Sequence, residues 1–362
     1  MRLKPILRST TARYGSRFSN DRAPHRFFLT NTKNQITTMH SIEEYINLVN
    51  KTIAEIEYPK QPERLYNPIA YTMALGGKRL RPVLTLLTCE ALGGDIAKAI
   101  DVAVGIELFH NFTLLHDDVM DKADVRRGKP TVHRQWNDNV AILSGDAMLT
   151  MATQHIAKVY PAVLPQIMEL FNRTAMEIYE GQQWDMDFEE LFDVSPNDYI
   201  RMIRLKTSVL LGCACKAGAI IAGASADDCQ RLYDMGLNLG LAFQLQDDVL
   251  DVWGDEATFG KEIGGDIMNN KKTFLLTNAV QMATGDDANT LRRCLADEYA
   301  IRDEKVAAVR SIFEKLNLKK LAETEIENYD QIAIDNLNQV SMSSEAHDMF
   351  TSFFAKLLHR QQ

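Results

Sequence analysis

The aspartates of this chain fall into a pattern that could bind a divalent cation. The pattern Asp-Asp-x-x-Asp occurs twice, as Asp117, Asp118 and Asp121 and again as Asp247, Asp248 and Asp251. On a helix, positions four apart lie on one face, so each cluster presents two carboxylates in the same direction. Like charges at this spacing repel, whereas Mg²⁺ favours a few carboxylate oxygens together with water and substrate phosphate. Both clusters therefore predict magnesium–phosphate chemistry.

Two further Asp-Asp pairs allow an internal comparison. Asp227-Asp228 and Asp286-Asp287 follow small or polar residues and lack a third aspartate, so they indicate ordinary solvated helix starts. The two full clusters instead end runs of apolar sequence. An exposed acidic face would explain one such cluster, but two of them on apolar helices favour a ligand site.

A diphosphate site needs cations as well as metal, and two short basic motifs could supply them. Lys78 and Arg81 lie on a turn that enters a helix, where free backbone N–H groups also favour anions. Arg126 and Arg127 follow the first aspartate cluster closely, and forked guanidinium donors match phosphate oxygens. Pairing of these arginines with aspartates inside a loop is the alternative. Further candidate cations, each of which alone is more typical of a surface, are Lys206, Lys261, Lys271 and Lys272.

The elements that must position these residues are predicted to be helices. No proline follows Pro196, and this long stretch is rich in good helix formers. Ser41 and Glu44 have the spacing of a capping box that opens the first helix. Strand–helix alternation is absent, so the pattern predicts one all-α domain over residues 41–362. Helices are predicted over residues 41–56, 64–75, 83–92, 96–120, 140–159, 164–188, 196–223 and 226–253, with more beyond residue 271.

Composition argues against several other classes of protein. Hydrophobic residues make up 46% of the chain, which is ample for a buried core. The net charge is −9, and an acidic body does not suggest a nucleic-acid binder. We expect no transmembrane segment, because the best apolar candidate, residues 209–224, is interrupted by Lys216. The five cysteines lack the paired spacing of a zinc site and are predicted to be reduced core thiols.

Four motifs, in order along the chain, resemble one enzyme family. They are Gly-Gly-Lys-Arg-Leu-Arg-Pro at 76–82, Leu-Leu-His-Asp-Asp-Val-Met-Asp at 114–121, Asp-Val-Arg-Arg-Gly-Lys-Pro-Thr-Val-His at 124–133 and Phe-Gln-Leu-Gln-Asp-Asp-Val-Leu-Asp at 243–251. From about residue 41 onward the chain resembles the head-to-tail trans-isoprenyl diphosphate synthases, which make farnesyl, geranylgeranyl and longer polyprenyl diphosphates. The resemblance implies the isoprenoid synthase fold, an all-α bundle around a deep central cavity, and normally a homodimer.

The resemblance also implies roles for the matching residues. Magnesium, as three ions per site with diphosphate bound, would be held by Asp117, Asp118, Asp121, Asp185 and Asp247, with support from Asp248 and Asp251. The allylic diphosphate would be held by Arg126, Lys206, Lys261 and Lys271. Isopentenyl diphosphate would be held by Lys78, Arg81, His110 and Arg127. The side chains of Thr207 and Gln244 would lie along the reacting carbons.

Product length is predicted to depend on the side chains that close the cavity below the first cluster. Phe112 lies five residues before Asp117, about 7.5 Å along a helix. Phe109 lies one turn deeper, and both would form the floor; simple core packing of the two phenylalanines is the alternative. An aromatic at Phe112, small Thr113 beside it and no two-residue insertion within Asp117–Asp121 resemble the archaeal-type geranylgeranyl pattern. We predict a C15 to C20 product.

Three rival functions can be weighed against this prediction. A class I terpene cyclase shares one aspartate motif but has a different second metal motif and needs no isopentenyl diphosphate site. A regulatory subunit of a heteromeric synthase usually lacks one cluster, and both are present here. A helical scaffold leaves aspartates on apolar helices unexplained. The synthase is therefore favoured over all three.

The first forty residues differ from the rest of the chain. They contain eight Lys or Arg and one acidic residue, Asp21, without a sustained apolar period. We predict a disordered extension outside the catalytic fold. A mitochondrial or plastid transit peptide has this composition. Alternatively, Met39 is the true start and the protein is cytoplasmic, which is slightly favoured because the rest of the chain is bacterial in style.

Overall fold

Helices form nearly all of the described structure, as the proline-poor sequence predicts. The computed structural model describes residues 39–254, 263–296 and 301–358. Its helices are α1 (Ile42–Ala54), α2 (Glu63–Ala74), α3 (Leu80–Ala91), α4 (Ile100–Met120), α5 (Val132–Gln135), α6 (Asp138–Ile156), α7 (Leu164–Glu190), α8 (Pro196–Ile203), α9 (Val209–Ala222), α10 (Ala226–Trp253), α11 (Gly265–Met268), α12 (Phe274–Met282), α13 (Gly285–Leu295), α14 (Arg302–Lys315), α15 (Leu318–Asn338) and α16 (Ser344–Leu358).

The start of α1 carries the predicted capping box. The Ser41 hydroxyl accepts a hydrogen bond from the Glu44 N–H, and the Glu44 carboxylate accepts one from the Ser41 N–H at 2.7 Å. Most of the predicted N-terminal extension, residues 1–38, lies outside the described residues. Met39 packs against the core, and the His40 ring nitrogen Nδ1 lies 2.8 Å from Glu90.

Helix α9 lies at the centre of the bundle, packed against both α3 and α10. Almost every α9 side chain is buried, as expected for a helix that is apolar on all sides. By length and composition, the helical stretch Pro196–Ala222 could cross a membrane, but 78% of its apolar window is buried inside the protein. This burial is typical of a core helix. All five cysteines are free and buried, as predicted.

Three local features differ from the predicted helices. A short 3₁₀ turn, Ile96–Lys98, precedes α4, because the Asp95 side chain caps the Ala97 N–H and closes a tighter turn. The predicted helix over 196–223 is interrupted by a π-helical turn, Arg204–Ser208. A two-stranded antiparallel hairpin, β1 (Val125–Arg126) and β2 (Lys129–Pro130), follows the first aspartate cluster.

The packing of four elements sets the positions of the predicted site residues. Helix α4, which ends in the first aspartate cluster, packs along α6. Helix α7 packs against the π-helical turn, and α10, which carries the second cluster, packs along α15. Residues of α4, α7, the π-helical turn and α10, together with the segment that enters α3, line a central cavity of about 690 Å³. The deep cavity of the predicted fold is therefore present.

Candidate active site

The three aspartates of the first cluster point to different partners. Asp117 is partly buried and lines the central cavity. Asp121 is exposed and forms the C-cap of α4. Asp118 is buried, and its two carboxylate oxygens accept hydrogen bonds from Arg126 Nε at 2.8 and 2.9 Å. Asp117 and Asp121 are thus accessible to ligands, whereas Asp118 is bound to Arg126 of the hairpin.

Asp185 of α7 lies near this cluster, as the resemblance implies. Lys206 Nζ donates to Asp185 Oδ2 at 2.6 Å. Lys271 Nζ lies 3.8 Å from Asp185 Oδ2 and 3.9 Å from Asp121 Oδ1. The fold therefore brings Asp185, Lys206 and Lys271 together from separate segments. Asp121, at the end of α4, lies beside them.

Burial changes the acidity of Asp117. Its pKa is raised to about 6, first because burial disfavours the charged carboxylate and also because Asp121 and Asp185 are close. Lys206 and Arg126 act in the opposite direction. When neighbouring carboxylates raise the pKa of a carboxyl group, a cation that binds between them stabilises its ionised form.

The second cluster is more firmly tied to the protein. Asp248 is buried and accepts hydrogen bonds from the Tyr199 hydroxyl at 2.6 Å and the Phe274 N–H at 3.2 Å. Burial raises the pKa of Asp248 well above its usual range. Asp251 accepts from the Asp266 N–H at 3.1 Å. Asp248 and Asp251 thus anchor neighbouring segments, and their supporting role at the metal site stays a prediction.

A smaller cavity of about 200 Å³ connects the two clusters. Its lining residues include Asp121 and Asp185 from the first group and Asp248 from the second. The Thr207 hydroxyl donates to Gln244 Oε1 at 3.3 Å on the same wall. Asp247, the predicted metal ligand of the second cluster, is partly exposed and lines neither cavity, so its metal role stays a prediction.

A group of basic residues also lines the central cavity. Its wall contains Lys78, Arg81, His110 and Arg127. Arg81 Nη1 lies 3.2 Å from His110 Nε2, and burial together with Arg81 lowers the pKa of His110 well below its usual range. The imidazole is therefore neutral and can accept from Arg81. Burial lowers the pKa of Arg81 to about 10, so it stays charged at neutral pH.

Arg127 is held by the glycines before α3. Its Nη1 donates to the Gly76 carbonyl oxygen. A Cβ at Gly77 would lie 2.8 Å from Arg127 Nη2, and the Gly77 φ of +135° also disfavours other residues. The glycine pair thus leaves the space that the guanidinium occupies. Within the described residues, the buried Nε of Arg81 has no hydrogen-bond partner, which leaves a donor for an anion.

Two of the predicted diphosphate cations cannot be assigned to either cavity from the described residues. Arg126 is not among the residues that line either cavity, because its guanidinium pairs with Asp118. The pairing considered from sequence as the alternative is therefore present. Lys261 lies outside the described residues. The diphosphate roles of Arg126 and Lys261 stay predictions.

Aromatic side chains close the apolar end of the cavity. Phe112 lines it, whereas Phe109 is fully buried behind Phe112, with ring centroids 5.5 Å apart. Tyr179 of α7 also lines the cavity and meets Phe112 edge-on at 6.2 Å. The His116 ring packs against the other side of Phe112 at 4.8 Å. The floor is thus formed by Phe112 and Tyr179, with Phe109 as a support.

Sequence reasoning missed three residues that shape the site. Tyr179 forms half of the floor, and Tyr199 binds Asp248. Arg79, in a left-handed conformation with φ of 52°, pairs with buried Glu107 at 2.7 Å. Glu107 within the apolar stretch 102–109 was a signal for a buried cation nearby. The two tyrosines gave no comparable signal, because core tyrosines are common.

Gly181 allows α7 to approach the π-helical turn that carries Lys206. A Cβ at this position would lie 2.3 Å from the Lys206 backbone nitrogen. Backbone atoms cannot move aside as a flexible side chain can, so the two elements would have to separate. Gly181→Ala is expected to destabilise the protein by about 1–3 kcal/mol. Thermal denaturation followed by circular dichroism measures this, and an unchanged melting temperature would contradict the close approach.

The acidic side of the site fits magnesium by donor type. Asp117, Asp121 and Asp185 offer hard carboxylate oxygens beside a cavity that has room for phosphate. Among the described residues, no group of three or more acidic, histidine or cysteine side chains is already arranged as a metal site. Mg²⁺ usually takes only one or two carboxylates and completes its shell with water and substrate phosphate.

Comparison with known proteins gives a consistent result. The polyprenyl synthetase family model matches residues 62–316. A geranylgeranyl diphosphate synthase of Methanosarcina mazei is 38% identical over 77% of this chain and 85% of its own length. A geranylfarnesyl diphosphate synthase of Aeropyrum pernix is 41% identical over 61% of this chain and 72% of its own length.

A solved structure shows the same architecture. It is a crystal structure of a geranylgeranyl pyrophosphate synthase, 44% identical, with a TM-score of 0.85 over 90% of this chain and 100% of that one. The family match covers more than half of this sequence, and the two aspartate clusters lie within it. The chain belongs to the polyprenyl synthetase family.

Proposed function

We propose that this protein is a trans-prenyl diphosphate synthase, which condenses isopentenyl diphosphate with an allylic diphosphate. The observation that carries the proposal is the division of one cavity into an acidic and a basic side. Asp117 and Lys206 lie at the acidic side, whereas Arg81 and Arg127 lie at the basic side. Phe112 and Tyr179 line the same cavity. A reaction between two diphosphate substrates requires two such anion sites that face one apolar space.

The acidic side would bind the allylic diphosphate and favour its departure. When bound, magnesium would neutralise the charge that develops on the leaving diphosphate. Lys206 and Lys271, held by Asp185, would donate hydrogen bonds to the same oxygens. Cleavage of the C–O bond then leaves an allylic cation in the cavity, and the bonding electrons depart with the diphosphate.

The basic side would hold isopentenyl diphosphate without metal. Arg81 and Arg127 remain cationic, and neutral His110 keeps Arg81 in place by accepting from its guanidinium. The buried Arg81 Nε offers a further donor to the phosphate oxygens. This arrangement would direct the double bond of isopentenyl diphosphate towards the allylic cation.

The last step would need no side chain as a base. His110 is the histidine on the basic side, and its low pKa and contact with Arg81 make it a weak proton acceptor. The diphosphate released in the first step lies nearby and would take the proton from the condensed cation. Thr207 and Gln244, hydrogen-bonded to each other, would line the reacting carbons. The apolar walls would keep water from the cation.

The proposed product is C20, within the predicted range of C15 to C20. Phe112 and Tyr179 close the cavity at its apolar end. The relatives described above are named for geranylgeranyl diphosphate, which is C20, and geranylfarnesyl diphosphate, which is C25. Both names refer to short products, and the aromatic floor favours the C20 product over the C25 product.

We propose a homodimer that forms through α6 and α7. Ile142 and Leu143 on α6 are 45% and 59% exposed, and Met176 on α7 is 57% exposed. Large apolar side chains that are exposed on a protein surface are typical of an interface between protein chains. Light scattering during size-exclusion chromatography measures the mass directly. A mass of one chain at micromolar concentration would contradict the dimer.

The reaction is tested with purified protein, magnesium and labelled isopentenyl diphosphate. Dimethylallyl, geranyl or farnesyl diphosphate is added separately, and the dephosphorylated products are separated by chromatography. A discrete labelled alcohol would support the proposal and give the product length. Conversion of the allylic substrate without label would indicate a cyclase. A folded protein that does neither would favour a regulatory subunit.

Magnesium activation is expected to weaken in mild acid. The pKa of Asp117 is raised to about 6, so the carboxylate is ionised above that pH and gains a proton below it. Since Mg²⁺ binds the ionised form, its apparent affinity should fall as the pH falls. Between pH 7.5 and pH 5.5 we expect the half-saturating magnesium concentration to rise by about fourfold or more. Initial rates at several magnesium concentrations measure this; an unchanged value would separate Asp117 from metal binding.

A further inference from the structure

Lys305 is a buried cation that none of the roles above uses. It lies on α14 and is only 2% exposed. Lysine is almost never fully buried without polar partners, because removing an ammonium group from water is costly. Lys305 Nζ donates to the Met268 carbonyl oxygen at 3.2 Å. A buried charge that reaches a neighbouring main chain indicates that the position of that segment matters.

The segment that Lys305 contacts leads directly to the active site. Met268 is the last residue of α11, and the Lys271 N–H donates to the Asp266 carbonyl oxygen at 3.0 Å. Lys305 and Lys271 also line one small cavity, together with the buried carboxylate of Asp248. Lys305 therefore contacts the main chain of the same short segment that carries Lys271.

The same segment is held from its other side by the second aspartate cluster. The Asp251 carbonyl oxygen accepts from the Gly264 N–H at 2.7 Å, and its carboxylate accepts from the Asp266 N–H. Arg302, one turn before Lys305 on α14, donates to the Ile263 carbonyl oxygen at 2.9 Å. Residues 263–271 are thus fixed between α10 and α14.

We propose that Lys305 is a positioning residue, which fixes residues 263–271 so that the Lys271 ammonium reaches Asp121 and Asp185. Lys305 does not contact the substrate. Its main-chain bond to Met268 holds the C-terminal end of α11, where carbonyl oxygens lack partners within the helix. The inference rests on the proposed function, because Lys271 is taken to bind the allylic diphosphate.

The test is a double-mutant cycle in the full chain, with Lys305→Met, Lys271→Ala and the combination. Met has a similar length and no charge, so the core should remain filled. We expect Lys305→Met to lower kcat/KM for the allylic diphosphate by about 10-fold to 100-fold, because a small misplacement of a binding group is costly. KM for isopentenyl diphosphate should change by less than about twofold, since the basic side lies elsewhere. In the Lys271→Ala background the same substitution should cost less than about twofold.

A purely structural role would give a different result. Lys305→Met would then lower activity by the same factor in both backgrounds, and this outcome overturns the inference. An unchanged kcat/KM for Lys305→Met in the wild-type background overturns it as well. Lys315→Met on the same helix is the matched control, because Lys315 is 60% exposed and pairs with Asp287. This control should retain full activity.

Two further checks separate folding and function from the inference. Circular dichroism verifies that each variant folds. If Lys305→Met does not, Lys305→Gln enters the same cycle with the same expected non-additivity, because its polar side chain is one atom shorter and should no longer reach the Met268 carbonyl oxygen. An additive cycle with Lys305→Gln also overturns the inference. No labelled product from the unsubstituted chain would overturn the proposed function itself, whereas an active wild type with an additive cycle overturns the role of Lys305 alone.

Discussion

Asp117→Asn is expected to lower kcat by about 10²–10³-fold, since it removes one carboxylate from the acidic side of the cavity. The amide has nearly the same shape as the carboxylate, so packing should be preserved. Its loss of charge weakens magnesium binding and leaves the developing diphosphate charge less well stabilised. The measurement is a single-turnover assay with labelled isopentenyl diphosphate and saturating magnesium.

The chain contains its own control for this substitution. Asp227 belongs to another Asp-Asp pair, but it is exposed in the first turn of α10 and lies away from both cavities. Asp227→Asn should leave kcat within about twofold of the wild type. A comparable loss in both variants would mean that general charge, and not the position of Asp117, determines the rate.

Phe112→Ala is expected to lengthen the product by one or more isoprene units. The ring lies at the apolar end of the cavity, and its removal opens space along the path of the growing chain. Tyr179 faces the same space from α7, so Tyr179→Ala should also lengthen the product, and the double variant should exceed each single one. Chromatography of the dephosphorylated products measures the chain-length distribution.

The rings behind the floor provide the comparison. Phe171 contacts Phe109 at 5.1 Å but does not line the cavity, so Phe171→Leu should leave the product length unchanged. Tyr179→Phe keeps the ring and should behave as the wild type. If Phe112→Ala and Tyr179→Ala both yield the wild-type product, the floor lies elsewhere. Unchanged products would not affect the proposal that the acidic side binds magnesium and the allylic diphosphate.

The helical architecture and the grouping of the acidic residues could be predicted from sequence. Asp117 and Asp121 share a helix face because the spacing of four residues requires it. The contrast with Asp227 and Asp286 was also correct, since both begin solvated first turns. These features depend on local spacing and on the length of apolar runs, which a single sequence contains.

The partners of individual side chains could not be predicted in the same way. Asp118 pairs with Arg126, and Asp248 binds Tyr199, because helices distant in sequence meet at these points. Motif spacing treats the three aspartates of a cluster as equivalent. Tertiary contacts decide which carboxylate faces the cavity and which one anchors a loop. The product floor is a similar case, since Tyr179 comes from α7, outside the motif that suggested Phe112.

The π-helical turn Arg204–Ser208 has a consequence for how the sequence can change. A π turn accommodates one residue more than an α-helix of the same length, so the extra residue is absorbed locally and the flanking helices keep their relative orientation. Deletion of a single residue here would give a regular α-helical turn between α8 and α9. Deletion of a residue inside α9 would instead rotate the residues that follow it by about 100°. The buried side chains of α9 face α3 and α10 and could not tolerate such a rotation. The π-helical turn is therefore the place where this stretch of helix can lose one residue without disturbing the packing of α9.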